Sequence, residues 1–131
     1  MSEAGEVDIQ NKGFENIIKL KALNVSSCNL DSFEANYFSL ANKLITLDAS
    51  RNSLQNLSDD LQKQMQALEV ANFSHNNIQN IDSDTAMPQL KILHLDHNEL
   101  SSIQLKNYKN LKILTLSDNQ FKRVSVLFIK A

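Results

Sequence analysis

Apolar residues recur along this chain in a spacing that fits neither a lone amphipathic helix nor a lone strand. In LKILHLDHNEL, residues 90–100, leucines stand at the first, fourth, sixth and eleventh places and an asparagine at the ninth. The same pattern returns as LKILTLSDNQF from Leu111, LITLDASRNSL from Leu44, LEVANFSHNNI from Leu68 and, in degenerate form, LKALNVSSCNL from Leu20. Starts at 20, 44, 68, 90 and 111 give periods of 24, 24, 22 and 21 residues. Self-similarity at such a period marks stacked structural repeats, which have to be read together.

Each unit predicts one short strand. Side chains alternate along a strand, so the fourth and sixth residues of a unit share a side and enter a common core. Those pairs are Leu23 and Val25, Leu47 and Ala49, Ala71 and Phe73, Leu93 and Leu95, and Leu114 and Leu116. One unit cannot bury its apolar face alone, so each strand is expected to pair in parallel with the next. The ninth places carry Cys28, Asn52, Asn76, Asn98 and Asn119. Where the chain turns away from the strand its backbone polar groups face the interior, and a column of amides can satisfy them. Cys28 interrupts that column and reads as a small core residue.

Between strands, Phe33, Leu57, Ile81, Ile103 and Val124 each stand three residues after the eleventh place and are expected to turn the chain back into the core. The stretch SDDLQKQMQAL, residues 58–68, suits a short helix. Ser58 would cap it, Asp59 and Asp60 would favour its positive end, and Leu61, Met65 and Leu68 would share a face. Around Pro88 and Asn107 the shorter repeats are expected to use irregular or 3₁₀ connections. Residues 1–19 read as an N-terminal segment in which Phe14 and Ile17 occupy core positions of a preceding repeat, with Val7 and Ile9 as remains of its strand. The five repeats occupy 20–121. An apolar tail at 122–131 is expected to fold back as a makeshift cap, to run on into further sequence, or to support self-association.

The third, fifth and seventh residues of each strand point away from the core and predict the outer, concave face of the sheet. The third places, Ala22, Thr46, Val70, Ile92 and Ile113, form an apolar column that grows toward the C-terminal end. The fifth places are Asn24, Asp48, Asn72, His94 and Thr115, and the seventh are Ser26, Ser50, Ser74, Asp96 and Ser117. An apolar stripe flanked by small polar residues has the make-up of a protein interface. The candidate partner-binding residues are therefore Thr46, Asp48, Val70, Asn72, Ile92, His94, Asp96, Ile113 and Thr115. The competing reading takes the β-branched residues simply as good strand formers.

Other chemistry is sparse. With two glycines the chain has no Gly-rich phosphate loop, and it lacks H-E-x-x-H, paired C-x-x-C and G-x-S-x-G, so no catalytic, cofactor or metal residues are assigned and an enzyme is not expected. All three histidines, His75, His94 and His97, fall on two adjacent repeats near Asp96 and Asp118, a cluster that suits a metal, a pH response or simply a solvated rim. Of three N-x-S/T sequons, at Asn24, Asn56 and Asn72, the first and last would put glycans on the concave face, which leaves Asn56 as the glycosylation candidate. A net charge of −2 argues against a nucleic-acid partner, and no apolar run reaches the ~20 residues of a membrane span. One cysteine excludes an internal disulfide. The polar, acidic N-terminus MSEAGEVDIQNKG does not read as a signal peptide.

The L-x-x-L-x-L-x-x-N-x-L units resemble the leucine-rich-repeat family over nearly the whole chain. That resemblance implies an α/β solenoid, a curved right-handed superhelix with a parallel concave sheet and short helical or irregular convex segments. Phe38, six residues before Leu44, together with the 24-residue periods, resembles the repeats of extracellular animal proteins such as Toll-like receptors. The run LHLDHNELSSIQLKNYKNLKILTLSDNQF resembles the last repeats of mosquito leucine-rich-repeat immune proteins, in which a cysteine-containing cap and a coiled coil follow. Here FKRVSVLFIKA stands in that place, with neither cysteine nor heptads. The resemblance implies a secreted or receptor-type module of insect innate immunity that binds another protein. The alternative is an intracellular, cytoplasmic scaffold or adaptor, favoured by the lone cysteine and the 22- and 21-residue repeats.

Overall fold

The computed structural model of the protein describes residues 21–31, 43–58, 62–81, 87–105, 107–121 and 126–127. Its strands are β1 (Ala22–Asn24), β2 (Thr46–Asp48), β3 (Asn56–Leu57), β4 (Val70–Asn72), β5 (Asn80–Ile81), β6 (Ile92–His94), β7 (Ile103–Gln104), β8 (Ile113–Thr115) and β9 (Val126–Leu127). The odd one out in each turn of chain is skipped, so the main sheet runs β1-β2-β4-β6-β8 and all its pairs are parallel. Its register joins equivalent places of successive repeats: Ala22 lies beside Thr46, Thr46 beside Val70, Val70 beside Ile92 and Ile92 beside Ile113. The result is a curved solenoid. Each three-residue strand is extended by further backbone bonds through the eighth place, as in Val25 N–H to Asp48 O and Ser27 N–H to Ser50 O.

The core follows the apolar spacing. Leu44, Leu68 and Leu90 at the first places, with Leu47, Ala49, Ala71, Phe73, Leu93 and Leu95, are almost wholly buried. Each leucine so placed contributes roughly 1.5–3 kcal/mol relative to exposure. Toward the last strand the burial fades, and Leu114, Leu116 and Phe121 are only partly covered. Cys28 is likewise partly buried against the core, its thiol donating to the Ser26 carbonyl.

The asparagine column is the internal framework. Asn52, Asn76 and Asn98 each donate through Nδ2 to a carbonyl of the preceding repeat (Val25, Ala49 and Phe73) and to two carbonyls of their own repeat. Their Oδ1 atoms accept from the preceding repeat's eleventh-place N–H, namely Leu30, Leu54 and Ile78, at 2.9–3.0 Å. Asn119 repeats the arrangement with Leu95 and Leu100 under less cover. To aim the ninth side chain inward, the eighth residue takes a left-handed conformation. Ser27, Arg51, His75, His97 and Asp118 all have φ between 56° and 60°. None is glycine, although that conformation costs an ordinary L-residue roughly 1–2 kcal/mol.

Two expectations about the connections change. The helix over 58–68 is reduced, among the described residues, to a single turn at Gln62 and Lys63, with Gln62 N–H bonded to Ser58 O. Met65 and Leu68 are buried as expected, while Asp59, Asp60 and Leu61 lie outside the described residues. Instead of convex helices, Leu57 and Ile81 sit in a second small parallel pairing, β3 with β5, and Ile103 in a third, β7 with β9. Around Pro88 and Asn107 the chain makes short i→i+3 turns, Met87–Leu90 and Tyr108–Leu111, and the same bond joins Met65 to Leu68. The side chains that open these turns, Met65, Met87 and Tyr108, are buried. Phe33, Phe38, Val124, the N-terminal segment 1–19 and the apolar tail, apart from the backbone of β9, lie outside the described residues.

A buried polar contact had no counterpart in the apolar pattern. Gln62 is 0% exposed; it donates through Nε2 to Leu57 O, while its Oε1 accepts from the Tyr108 hydroxyl 46 residues away. This bond ties the connection of the 24-residue second repeat to that of the 21-residue fourth. A buried amide and a buried phenol are tolerated because each satisfies the other.

Candidate protein-binding face

Because the sheet is parallel and in register, like places of each repeat form rows across its outer face. A shallow, open groove of about 500 Å³ runs along it, lined by Ala22, Asn24, Thr46, Asp48, Val70, Asn72 and His94 together with the strand backbone at Leu23 and Leu47. Of the sequence-selected residues, Thr46, Asp48, Val70, Asn72 and His94 line this groove. Ile92 on β6, Ile113 and Thr115 on β8, and Asp96 just after β6 continue the face beyond it. The apolar column is half-buried at Thr46, Val70 and Ile92 and opens at its two ends, at the small Ala22 and at Ile113, which is 48% exposed. The stripe is thus a partly covered ridge for most of its length.

The seventh places depart from a plain outward row. Ser50 and Ser74 are each 8% exposed. They are drawn under the fifth-place side chains, since the Ser50 N–H and hydroxyl both reach Asp48 Oδ1 and the Ser74 N–H reaches Asn72 Oδ1. Asn24 holds Ser26 in the same way. The two concave-face sequons are therefore engaged in local turns. Asn56 lies exposed on β3, away from the groove.

On the fourth repeat the carboxylate moves from the fifth place to the seventh and acts across strands. Asp96 Oδ1 accepts from the N–H and hydroxyl of Ser117 at 2.8 Å, and Asp96 Oδ2 accepts from Thr115 Oγ1 at 2.6 Å. Thr115 Oγ1 lies in turn 2.9 Å from His94 Nδ1. Desolvation pushes the Asp96 carboxyl up, but these hydrogen bonds outweigh it and hold the group below its ordinary range.

The histidines separate into two places. His94 belongs to the groove, whereas His75 and His97 stand at eighth places on its rim with rings stacked 4.2 Å apart and 16° from parallel. His97 Nδ1 lies 3.2 Å from Asp118 Oδ2. Burial first, then Arg51 and His97, lower the His75 pKa. Face-to-face stacking keeps the ring nitrogens of this pair from converging on one ion. Among the described residues no group of three or more His, Cys, Asp or Glu side chains is placed to hold a metal. No helix among them is long and apolar enough to cross a membrane. The left-handed eighth places that bring the histidine rings together, and the relay around Asp96, were not visible in the spacing. Their only signal was the coincidence of polar residues at equal repeat places.

Comparison with known proteins gives a consistent family. A family model for leucine-rich repeats, in two copies, matches residues 66–107. Rat lumican is 31% identical over 122 residues, covering 88% of this chain and 35% of lumican, and human lumican is 30% identical over the same span. The chain thus spans about a third of the length of the curated relatives it matches. An acidic leucine-rich nuclear phosphoprotein 32-related protein of Plasmodium falciparum is 26% identical over 100 residues, 72% of this chain and 36% of the relative. Among solved structures, Toll in its complex with Spatzle, from Drosophila and in glycosylated form, matches 81% of this chain and 16% of that chain at 24% identity and a TM-score of 0.73. The leucine-rich-repeat domain of APL1B matches 76% of this chain and 40% of that chain at 21% identity, but its TM-score of 0.38 lends no support to a shared shape. With the repeat register, the asparagine column and these matches in hand, the chain carries leucine-rich repeats, is similar to leucine-rich-repeat proteins over most of its length and folds as a solenoid resembling that of Toll.

Proposed function

We propose that this chain is a non-catalytic module that binds another protein through its concave face, within a secreted or receptor-type innate-immune recognition protein. The supporting observation is the groove itself: an open face of about 500 Å³ on which a partly covered apolar row adjoins a row of oriented polar side chains. Thr46, Asp48, Val70, Asn72 and His94 would make the central contacts, with Ile92, Asp96, Ile113 and Thr115 extending them. The Toll–Spatzle complex supports the capacity of this fold to hold a protein partner. An exposed Asn56 sequon, and a Toll structure in glycosylated form, support a secretory route. The alternative, an intracellular scaffold, is favoured by the similarity to a nuclear phosphoprotein-related chain.

Photo-crosslinking tests the binding reading. A crosslinking residue replacing Ile92, and a control replacing the exposed outer-strand residue Gln104, would be presented to secreted and to intracellular fractions of the source tissue. A defined adduct at the Ile92 position, absent from the control and lost when V70S and I113S are added in a folded variant, is expected. Equal adducts from both positions, or capture indifferent to the added V70S and I113S substitutions, would refute it. The fraction that supplies the adduct decides between the two compartments.

A further inference from the structure

The fifth-place row has a definite hydrogen-bonding polarity, set by atoms beneath it. Asn24 Oδ1 accepts from the Ser26 N–H and hydroxyl, and Asn72 Oδ1 accepts from the Ser74 N–H, so both carboxamides turn their NH₂ groups outward as donors. Between them Asp48 can only accept; Oδ1 is engaged with Ser50, which leaves Oδ2 for the groove. These side chains stand on neighbouring strands, about 4.8 Å apart from one to the next. The row therefore reads donor, acceptor, donor, and His94 supplies its fourth member.

The relay behind His94 determines which kind of group that member is. A carboxylate has no proton to give, so in the Asp96–Thr115 contact the hydroxyl of Thr115 donates. With its one proton spent on Asp96, Thr115 Oγ1 can only accept from His94 Nδ1. In neutral His94 the proton is then on Nδ1, and Nε2 is a bare acceptor. Nδ1 faces β8 and Thr115, so Nε2 is the ring's polar atom left for the groove that His94 lines. Asp48 is the one formally charged residue lining that groove among the described residues.

Resting on the concave-face reading, we propose that the row is a built recognition site, alternating donor, acceptor, donor, acceptor. It selects a protein partner that sets a lysine or arginine against Asp48 and a second N–H or O–H donor against His94 Nε2. Toward this row Asp96 and Thr115 act as positioning residues, holding the tautomer of His94 rather than meeting the lysine or arginine themselves.

Nitrogen-15 NMR of the full chain, labelled at histidine and observed above the histidine titration range, reads the tautomer directly. The wild type is expected to show a protonated Nδ1 and a bare Nε2 at His94. Asp96→Asn keeps the shape but offers an NH₂ to Thr115; the hydroxyl then donates to His94 Nδ1 and the proton moves to Nε2. If that variant does not fold, Thr115→Val removes the hydroxyl and must abolish the Nδ1–H preference. Arginine amide is then titrated as a probe, against citrulline amide and glutamic acid amide. Chemical-shift changes at Asp48, Asn72 and His94 are expected with arginine amide alone, weakened roughly 3- to 10-fold by D48N or D96N, about the weight of one hydrogen bond. A proton on Nε2 in the wild type, a tautomer unmoved by both variants, or an equal response to citrulline amide would overturn the proposal. A concave-face crosslink without an arginine response would sink this inference alone, whereas absence of the crosslink would sink the binding reading on which it rests.

Discussion

Removing one central amide gives a direct test of the asparagine framework. Asn98 sits nearly buried, with Oδ1 accepting from Ile78 N–H and Nδ2 donating to the carbonyls of Phe73, Leu95 and Asp96. In Asn98→Ala the three carbonyls are not orphaned. Phe73 O retains Asn76 Nδ2, Leu95 O retains Asn119 Nδ2, and Asp96 O retains His75 N–H. The Ile78 N–H loses its partner in a buried position, at a cost of about 1–3 kcal/mol. Adding about 1 kcal/mol for the weakened carbonyl contacts gives an expected loss of roughly 2–4 kcal/mol. Asn119→Ala, at the partly covered end, should lose only about 1 kcal/mol. Urea denaturation followed by circular dichroism measures both, with an unchanged slope required for the comparison. Asn98→Asp provides the control on polarity, because a carboxylate faces three carbonyls without a proton to donate. It should be worse than alanine at neutral pH, and its deficit should narrow on acidification as the introduced carboxyl regains a proton. If Asn98→Ala cost no more than Asn119→Ala, or if Asn98→Asp were as stable as wild type, the account of the column would fail.

Three further predictions concern contacts that the spacing did not reveal. Gln62→Leu should destabilise by about 2–4 kcal/mol because it removes the buried amide that both the Tyr108 hydroxyl and the Leu57 carbonyl bond; adding Tyr108→Phe should recover part of that loss in a double-mutant cycle, and strict additivity would deny the buried contact. At the left-handed place, Arg51→Val should cost about 1–2 kcal/mol whereas Arg51→Gly should be neutral or stabilising by up to about 1 kcal/mol; thermal melts that rank the two in reverse would contradict the backbone geometry. His75 is held below its ordinary value of 6.5 by burial, then by Arg51 and His97, so the folded state binds fewer protons than the unfolded one; its share of stability is complete above 6.5 and declines as pH falls through the lowered value. His75→Gln should therefore flatten the pH dependence of the denaturation midpoint in that window, and an unchanged profile would exclude the coupling.

Much of the fold was legible because leucine spacing and strand geometry are local. Once Leu44, Leu68, Leu90 and Leu111 are aligned, two-residue alternation along each strand decides which neighbours go inward, and the burial of Leu47, Ala71 and Leu93 follows. The connections were less legible. Residues 58–68 have helical periodicity and a capping serine, yet the chain spends Asn56–Leu57 on pairing with Asn80–Ile81 and, among the described residues, keeps one turn of helix at 62–63. Tertiary pairing overrides a local preference worth a few tenths of a kcal/mol per residue. Gln62 was invisible for a related reason: a polar residue in a polar stretch gives no sign that Tyr108, two repeats later, will meet it in the core.

The candidate face divides in the same way. The amino-acid sequence alone determined its membership, since the third and fifth places of a parallel stack must line one surface and the asparagine places must turn inward. It also determined that His75 and His97 occupy equivalent places. Only the tertiary structure decided their chemistry. The left-handed eighth residues bring two rings to stacking distance. Ser50 and Ser74 withdraw beneath their acceptors, and the carboxylate of Asp96 reaches across to the strand of Thr115. Repeat spacing fixes which residues become neighbours, but the direction of a hydrogen bond depends on where every proton in the connected group has already been used, and that is a property of the folded stack.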